Sequence, residues 1–286
     1  MKVENKTLDE ERALYGLEYV ELDDCRFAGA ADGESALKEC GSVKAKACFF
    51  DLRYPLWHDR AVALDGCELT ENCRAALWYT DNIRITKSKL HGIKALRECK
   101  RAVITESDIV SPEFGWFTDG LHMTDVTAAS EYFLMRAKNV VANRLDFKGK
   151  YSFQYVENAI IKNSKLDTKD AFWHSKNVRV ENSVVIGEYL GWYSKNLTFV
   201  NCTIIGTQPL CYCKNLKLID CVMQKTDLAF ERSEVNAALR AEIDSVKNPY
   251  KGIIIAPKVG EIIRDDAKAK CKILIDPSLE RRAEQA

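Results

Sequence analysis

The sequence predicts an all-β solenoid, a single-stranded right-handed parallel β-helix of about 11 or 12 coils. Three observations carry this. First, copies of one pattern laid from Ala159, Val178, Leu197 and Leu216 are spaced 19 residues apart, and a short fixed period marks a stack of repeats that touch only their neighbours. Second, the register extends backwards through Val20, Val43, Val62, Ile83, Ala102, Leu121 and Val140, the spacing widening only after Val20 and Val62. Third, positions 1 and 3 of the repeat are apolar in nearly every copy, the two-residue alternation of a strand. Position 3 reads Leu22, Ala45, Leu64, Ile85, Ile104 and Met123 in the first copies and Ile161, Val180, Phe199 and Leu218 in the last.

The remaining positions follow the same logic. Position 8 is apolar, from Phe27 and Phe50 to Ile204 and Met223, and position 6 is a column of Cys and Ser, including Cys25, Cys48, Cys67, Cys202 and Cys221. Asn recurs at position 19, as Asn82, Asn139, Asn158, Asn177, Asn196 and Asn215. Its tolerance of left-handed dihedrals suits a sharp bend. The alternative is a leucine-rich-repeat solenoid, since positions 1, 3, 6 and 8 also spell L-x-L-x-x-C-x-L. That repeat needs a further leucine at position 17, where this chain has Cys40, Asp59, Thr80, Cys99 and Thr118. Its usual length is also above 19. Coils account for residues 1–234; residues 235–286 are read as the last coil, a cap over the open edge, and a charged tail of the same domain.

The totals narrow the function. Lys plus Arg and Asp plus Glu both number 42 among 286 residues, so no net field draws the chain to nucleic acid. No long apolar run or leader is present, which points to a cytoplasmic protein with no membrane partner. Eleven cysteines raise the question of disulfides or a metal, but eight sit in the small-residue columns at positions 6 and 17. Free thiols packed as small apolar groups are expected there. No metal site and no cofactor is expected, and the oligomeric state is not encoded in any motif.

Function must lie outside the coils. Nineteen residues at about 3.3 Å each enclose a perimeter of roughly 63 Å, which large side chains from three walls would fill. On the outside, position 15 carries Trp57, Trp78, Trp116, Trp173 and Trp192, all five tryptophans of the chain. Position 16 adds His58, Tyr79, Phe117, Tyr155, His174, Tyr193 and Tyr212. Parity gives conflicting advice: position 14 is apolar, while position 16, on the same strand face, includes Glu39, Glu98 and Arg136. We expect 14 inward and 15 outward, with the five tryptophans and Tyr193 as a ligand-binding platform for sugar rings. Polar candidates beside it are His58, Asp59, Arg97, Arg136 and His174.

The Trp-His and Trp-Tyr pairs, followed by Ser245-Val246-Lys247-Asn248-Pro249 and Gly260-Glu261-Ile262-Ile263, resemble a bacterial family of unknown function grouped with the pectin-lyase-like right-handed β-helices. The resemblance spans nearly the whole chain and implies the fold; it supplies no catalytic residues. Two readings of the wall therefore stand: carbohydrate binding, extending to lyase-like or glycoside-hydrolase-like chemistry, or a non-enzymatic scaffold meeting a protein or a second copy. The hydrolytic version needs two carboxylates roughly 5 to 9.5 Å apart, and the sequence singles out no such pair.

Overall fold

The computed structural model describes residues 1–29 and 34–279. The insertion expected around Ala30–Gly33 and the end of the charged tail, 280–286, lie outside the described residues. The chain is a right-handed parallel β-solenoid of about 14 turns, and it divides into two compact units, residues 1–147 and 148–286.

In the first unit the position-3 column pairs strand to strand, Val3 with Leu22, Ala45, Leu64, Ile85, Ile104 and Met123 in turn. A second wall repeats the arrangement at position 8, where Phe27 pairs with Phe50 and Phe50 with Leu69. Every one of these pairings is parallel. The third wall is made of turns, with only short bridges such as Leu77–Trp78 against Leu96–Arg97. Its inward side chains are large, and Phe114 and Phe133 stack at 5.5 Å. The second unit is built alike: Ile161 pairs with Val180 and Val180 with Phe199 on the first wall, Leu166 with Val185 and Val185 with Ile204 on the second. Phe153 and Phe172 stack at 5.2 Å inside its third wall.

Two features explain the greater number of turns than the repeat suggests. Lys2–Glu4 is a strand paired to Tyr19–Asp23, so a rung precedes Val20. After the register shifts between Leu218 and Cys221, Ala237, Ile254 and Ile273 still continue the first wall. The segment read as a last coil with a cap thus supplies further rungs, 17 residues apart from Ala237 to Ile254 and 19 from Ile254 to Ile273.

The corners depend on left-handed residues. Asn82, Asn139, Asn158, Asn177, Asn196 and Asn215 all have positive φ, as expected of position 19. In the second unit their amides form a ladder, Asn177 donating to Asn158 at 3.0 Å, Asn196 to Asn177 at 2.7 Å and Asn215 to Asn196 at 2.8 Å. Gly187 has no alternative, because a Cβ there would lie 1.8 Å from the Thr168 carbonyl oxygen. All eleven cysteines are free and buried. Several of their thiols donate to carbonyls of the preceding coil, as Cys67 to Ala45 at 3.4 Å and Cys213 to Gly191 at 3.2 Å. Burial pushes the Cys99 thiol up to about 12 and the Cys213 thiol up to about 11.

Val178 is 1% exposed and paired on both sides. Val178→Asp places an unpaired charge in a wall shared by two neighbours and should cost several kcal/mol. Lys195→Asp, set between Lys176 and Lys214, exchanges like-charge neighbours for opposite ones and should be neutral or mildly stabilising. Urea unfolding of the two variants checks the register; equal losses would show it to be wrong.

Candidate aromatic binding wall

The conflict of parity at positions 14 to 16 resolves in the backbone. His58, Tyr79, Glu98, Phe117, Arg136, Tyr155, His174, Tyr193 and Tyr212 all have φ between 51° and 66°. A left-handed residue breaks strand alternation, so positions 15 and 16 both face out while 14 and 17 face in. Leu56, Leu77, Phe153 and Phe172 at position 14 are fully buried. The five tryptophans are half-buried, and the position-16 rings beside them are exposed, Phe117 at 46% and Tyr193 at 48%.

In the first unit the tryptophans form a stack closed along its length. The Lys38 ammonium lies 4.6 Å from the Trp57 ring, and Trp57 and Trp78 stack at 5.6 Å. Arg97 occupies the place of a tryptophan in its own coil. Its guanidinium is 5.1 Å from the Trp78 ring and 5.0 Å from the Trp116 ring, a cation between two π faces. Arg97 also pairs with Glu98 and Glu113, each at 3.5 Å, and Lys94 reaches Glu113 at 3.7 Å. Two of the three indole N–H groups are held as well, Trp78 donating to Glu98 at 3.3 Å and Trp116 to the Tyr132 carbonyl at 3.0 Å, while that of Trp57 is buried without a partner. His58 is exposed with its ring edge-on to Tyr79 at 4.9 Å, and Arg136 is exposed.

The second unit holds two ladders side by side. Trp173 and Trp192 stack at 5.4 Å, and their indoles donate to the Tyr189 and Gln208 carbonyls at 2.6 and 2.8 Å. At position 16, Tyr155, His174, Tyr193 and Tyr212 stack with centroid distances of 4.9, 5.0 and 4.8 Å and interplanar angles of 8° to 11°. His174 is therefore a rung between two tyrosines.

The structure brings together Trp57, His58, Trp78, Arg97 and Trp116 in one unit, and Trp173, His174, Trp192 and Tyr193 in the other. Asp59 does not join them. It is 2% exposed, at an inward position, and its Oδ1 accepts from the Cys40 N–H at 2.8 Å while Oδ2 has no partner. Burial pushes its carboxyl up to about 8. Asp170 is also buried and its carboxyl raised by that burial. Neighbouring rings and cations lie over faces of the tryptophans in both units. Sequence reasoning named Arg97 only as a polar neighbour of the wall and missed Lys38; the signal for both was their shared position 15.

Among the described residues no group of His, Cys, Asp or Glu is arranged to hold a metal, and no helix is long and apolar enough to cross a membrane.

A family model described as protein of unknown function, DUF3737, matches residues 1–276. The chain belongs to that family. No curated protein matches it. Among solved structures, the A-module of mannuronan C-5 epimerase AlgE4 from Azotobacter vinelandii is similar at 9% identity, covering 96% of this chain and 89% of that one, with a TM-score of 0.34. The fluoroquinolone resistance protein QnrB1 is similar at 11% identity, covering 79% and 90%, with a TM-score of 0.16. At these scores neither likeness bears on function, and the fold rests on the strand pairing itself.

Asp59 predicts a pH dependence. The folded chain keeps its proton up to about pH 8, whereas an unfolded chain releases it near the ordinary carboxyl value of 3.8. Stability attributable to this group is full below the lower value and falls as pH rises through the higher one. Asp59→Asn keeps the acceptor for Cys40 and removes that slope. Denaturant titrations should show the variant gaining on the parent from pH 4 to 8, reaching on the order of a few kcal/mol; a constant difference would contradict the buried placement.

Proposed function

We propose that the protein is a non-enzymatic scaffold whose aromatic turn wall docks another protein. The closure of the tryptophan stack carries this reading. Sugars bind aromatic residues chiefly through the ring face, and here neighbours fill those faces. A protein surface instead exploits rings already fixed in one rotamer, because ordering them on binding costs little entropy. Trp, Tyr and Arg, the residues that dominate binding energy at protein interfaces, are the ones gathered on this wall. Exposed Phe117 and Tyr79 in one unit, and Tyr155 and Tyr193 in the other, provide the protruding contacts. The half-buried carboxylates Glu98 and Glu113 are engaged by Arg97, which supports binding over acid–base chemistry. Eleven buried thiols fit a reducing compartment, hence the cytoplasm.

Carbohydrate binding is the second reading, favoured by one observation. The rungs Tyr155, His174, Tyr193 and Tyr212 recur every 4.8 to 5.0 Å, close to the repeat of an extended chain of hexose rings. Their exposed edges would hydrogen-bond sugar hydroxyls rather than stack on the rings.

A photo-crosslinking amino acid placed at Phe117 and at Tyr193 in cells, with Lys165 as a control position, separates the two. Discrete protein adducts at the first two sites, together with tryptophan emission that ignores a panel of oligosaccharides, are expected. An emission change with an oligosaccharide that disappears in Tyr193→Ala would establish the carbohydrate reading instead. Neither adduct nor emission change would overturn both.

A further inference from the structure

A different face of the first unit carries a second site. The outward residues of the first wall form two columns of long charged side chains. In one, Lys2 pairs in register with Glu21, Glu21 with Lys44, Lys44 with Ala63, and Ala63 with Arg84. Ala63 interrupts that column. Where every neighbouring rung projects a long side chain, this one projects a methyl group, and a hollow of about 490 Å³ opens over it. That volume is in the range of small-molecule sites.

The hollow is lined by charged side chains around an apolar floor of Leu22, Ala45, Ala63 and Leu64. Lys44 and Arg84 stand on either side of Ala63, two strand spacings or roughly 10 Å apart. Lys46 and Lys87 also line it, as does Lys2. Against these five cations are three carboxylates of the lining, Glu21, Asp23 and Asp65, and Glu4 beside it, which holds Lys2 at 2.5 Å, so one cation is in excess in a chain of zero net charge. Lys44 is engaged by Glu21 at 3.0 Å. Lys46, Arg84 and Lys87 make no ion pair among the described residues. Arg84 in particular is flanked in register by Ala63 and Val103, neither of which offers it an acceptor.

We propose that this hollow binds a small phosphomonoester bearing hydroxyl groups, a sugar phosphate in chemical class. A phosphomonoester carries a charge of about −1.5 to −2 near neutral pH, which suits the three cations of the lining that make no ion pair. Arg84 presents the planar fork suited to two phosphate oxygens, with Lys46 or Lys87 as a point charge beside it. Asp65 and Thr86, paired in register at the edge of the hollow, address the hydroxyls. The Thr86 hydroxyl accepts from Thr105 at 3.2 Å, which leaves its own proton to donate, and Asp65 accepts. The inference is independent of the role proposed for the aromatic wall.

Isothermal titration of the full chain with glucose 6-phosphate, glucose and inorganic phosphate tests it. Glucose 6-phosphate should bind, more weakly as salt is added, and glucose should give no heat. Arg84→Ala should weaken binding about tenfold or more, the loss of a charge-assisted contact. Ala63→Leu, which fills the hollow without removing a charge, should weaken it as well, with the melting temperature unchanged in both variants. No heat from glucose 6-phosphate at millimolar concentration, or binding undiminished in Ala63→Leu, would overturn the site. Inorganic phosphate binding as tightly as the ester would overturn the part assigned to Asp65 and Thr86.

Discussion

The in-register stacking of coils is the constraint on which everything else depends. Each residue lies beside its equivalent one repeat away, as Ala102 beside Ile83 and Leu121, or Val178 beside Ala159 and Leu197. A choice of side chain is therefore also a choice of neighbour. Apolar residues make continuous inner walls, and small thiols and hydroxyls bond to the backbone of the preceding coil. Asparagines make ladders, and aromatic rings stack at the coil spacing. Any charge that enters an inward column, as at Asp59, meets only the small groups of adjacent coils.

The same constraint shapes the outer wall. A ring placed at one height in successive coils stacks on its successor, so a column of tryptophans covers its own faces. Arg97 and Lys38 extend that closure, because a cation over a π face substitutes for a ring at similar spacing. The result is a rigid ridge whose edges and protruding position-16 rings meet solvent.

Most of the fold was legible in the sequence because a period of 19 residues repeats with little variation. The first and last rungs were not: Lys2–Glu4 is too short to show alternation, and the spacing shortens after Ala237. The wall was legible as a column, yet its orientation was not. Alternation holds only for extended backbone, and the left-handed dihedral at position 16, carried by residues as unlike as Glu98, Phe117 and His174, leaves no compositional mark. Asp59 was misplaced beside the wall because it is adjacent in sequence to Trp57 and His58, although the left-handed residue between turns it inward. The hollow over Ala63 was invisible for a simpler reason: a small residue on an outward face becomes a cavity only once its long neighbours are known.

Arg97 is the sharpest test of the claim that neighbours close the tryptophan faces. It alone separates Trp78 from Trp116, so Arg97→Ala uncovers one face of each without disturbing the inner walls. Acrylamide quenching of tryptophan emission, compared with the parent at matched secondary structure, reads this directly. A steeper quenching curve in Arg97→Ala is the expected result, and identical curves would contradict the closed stack.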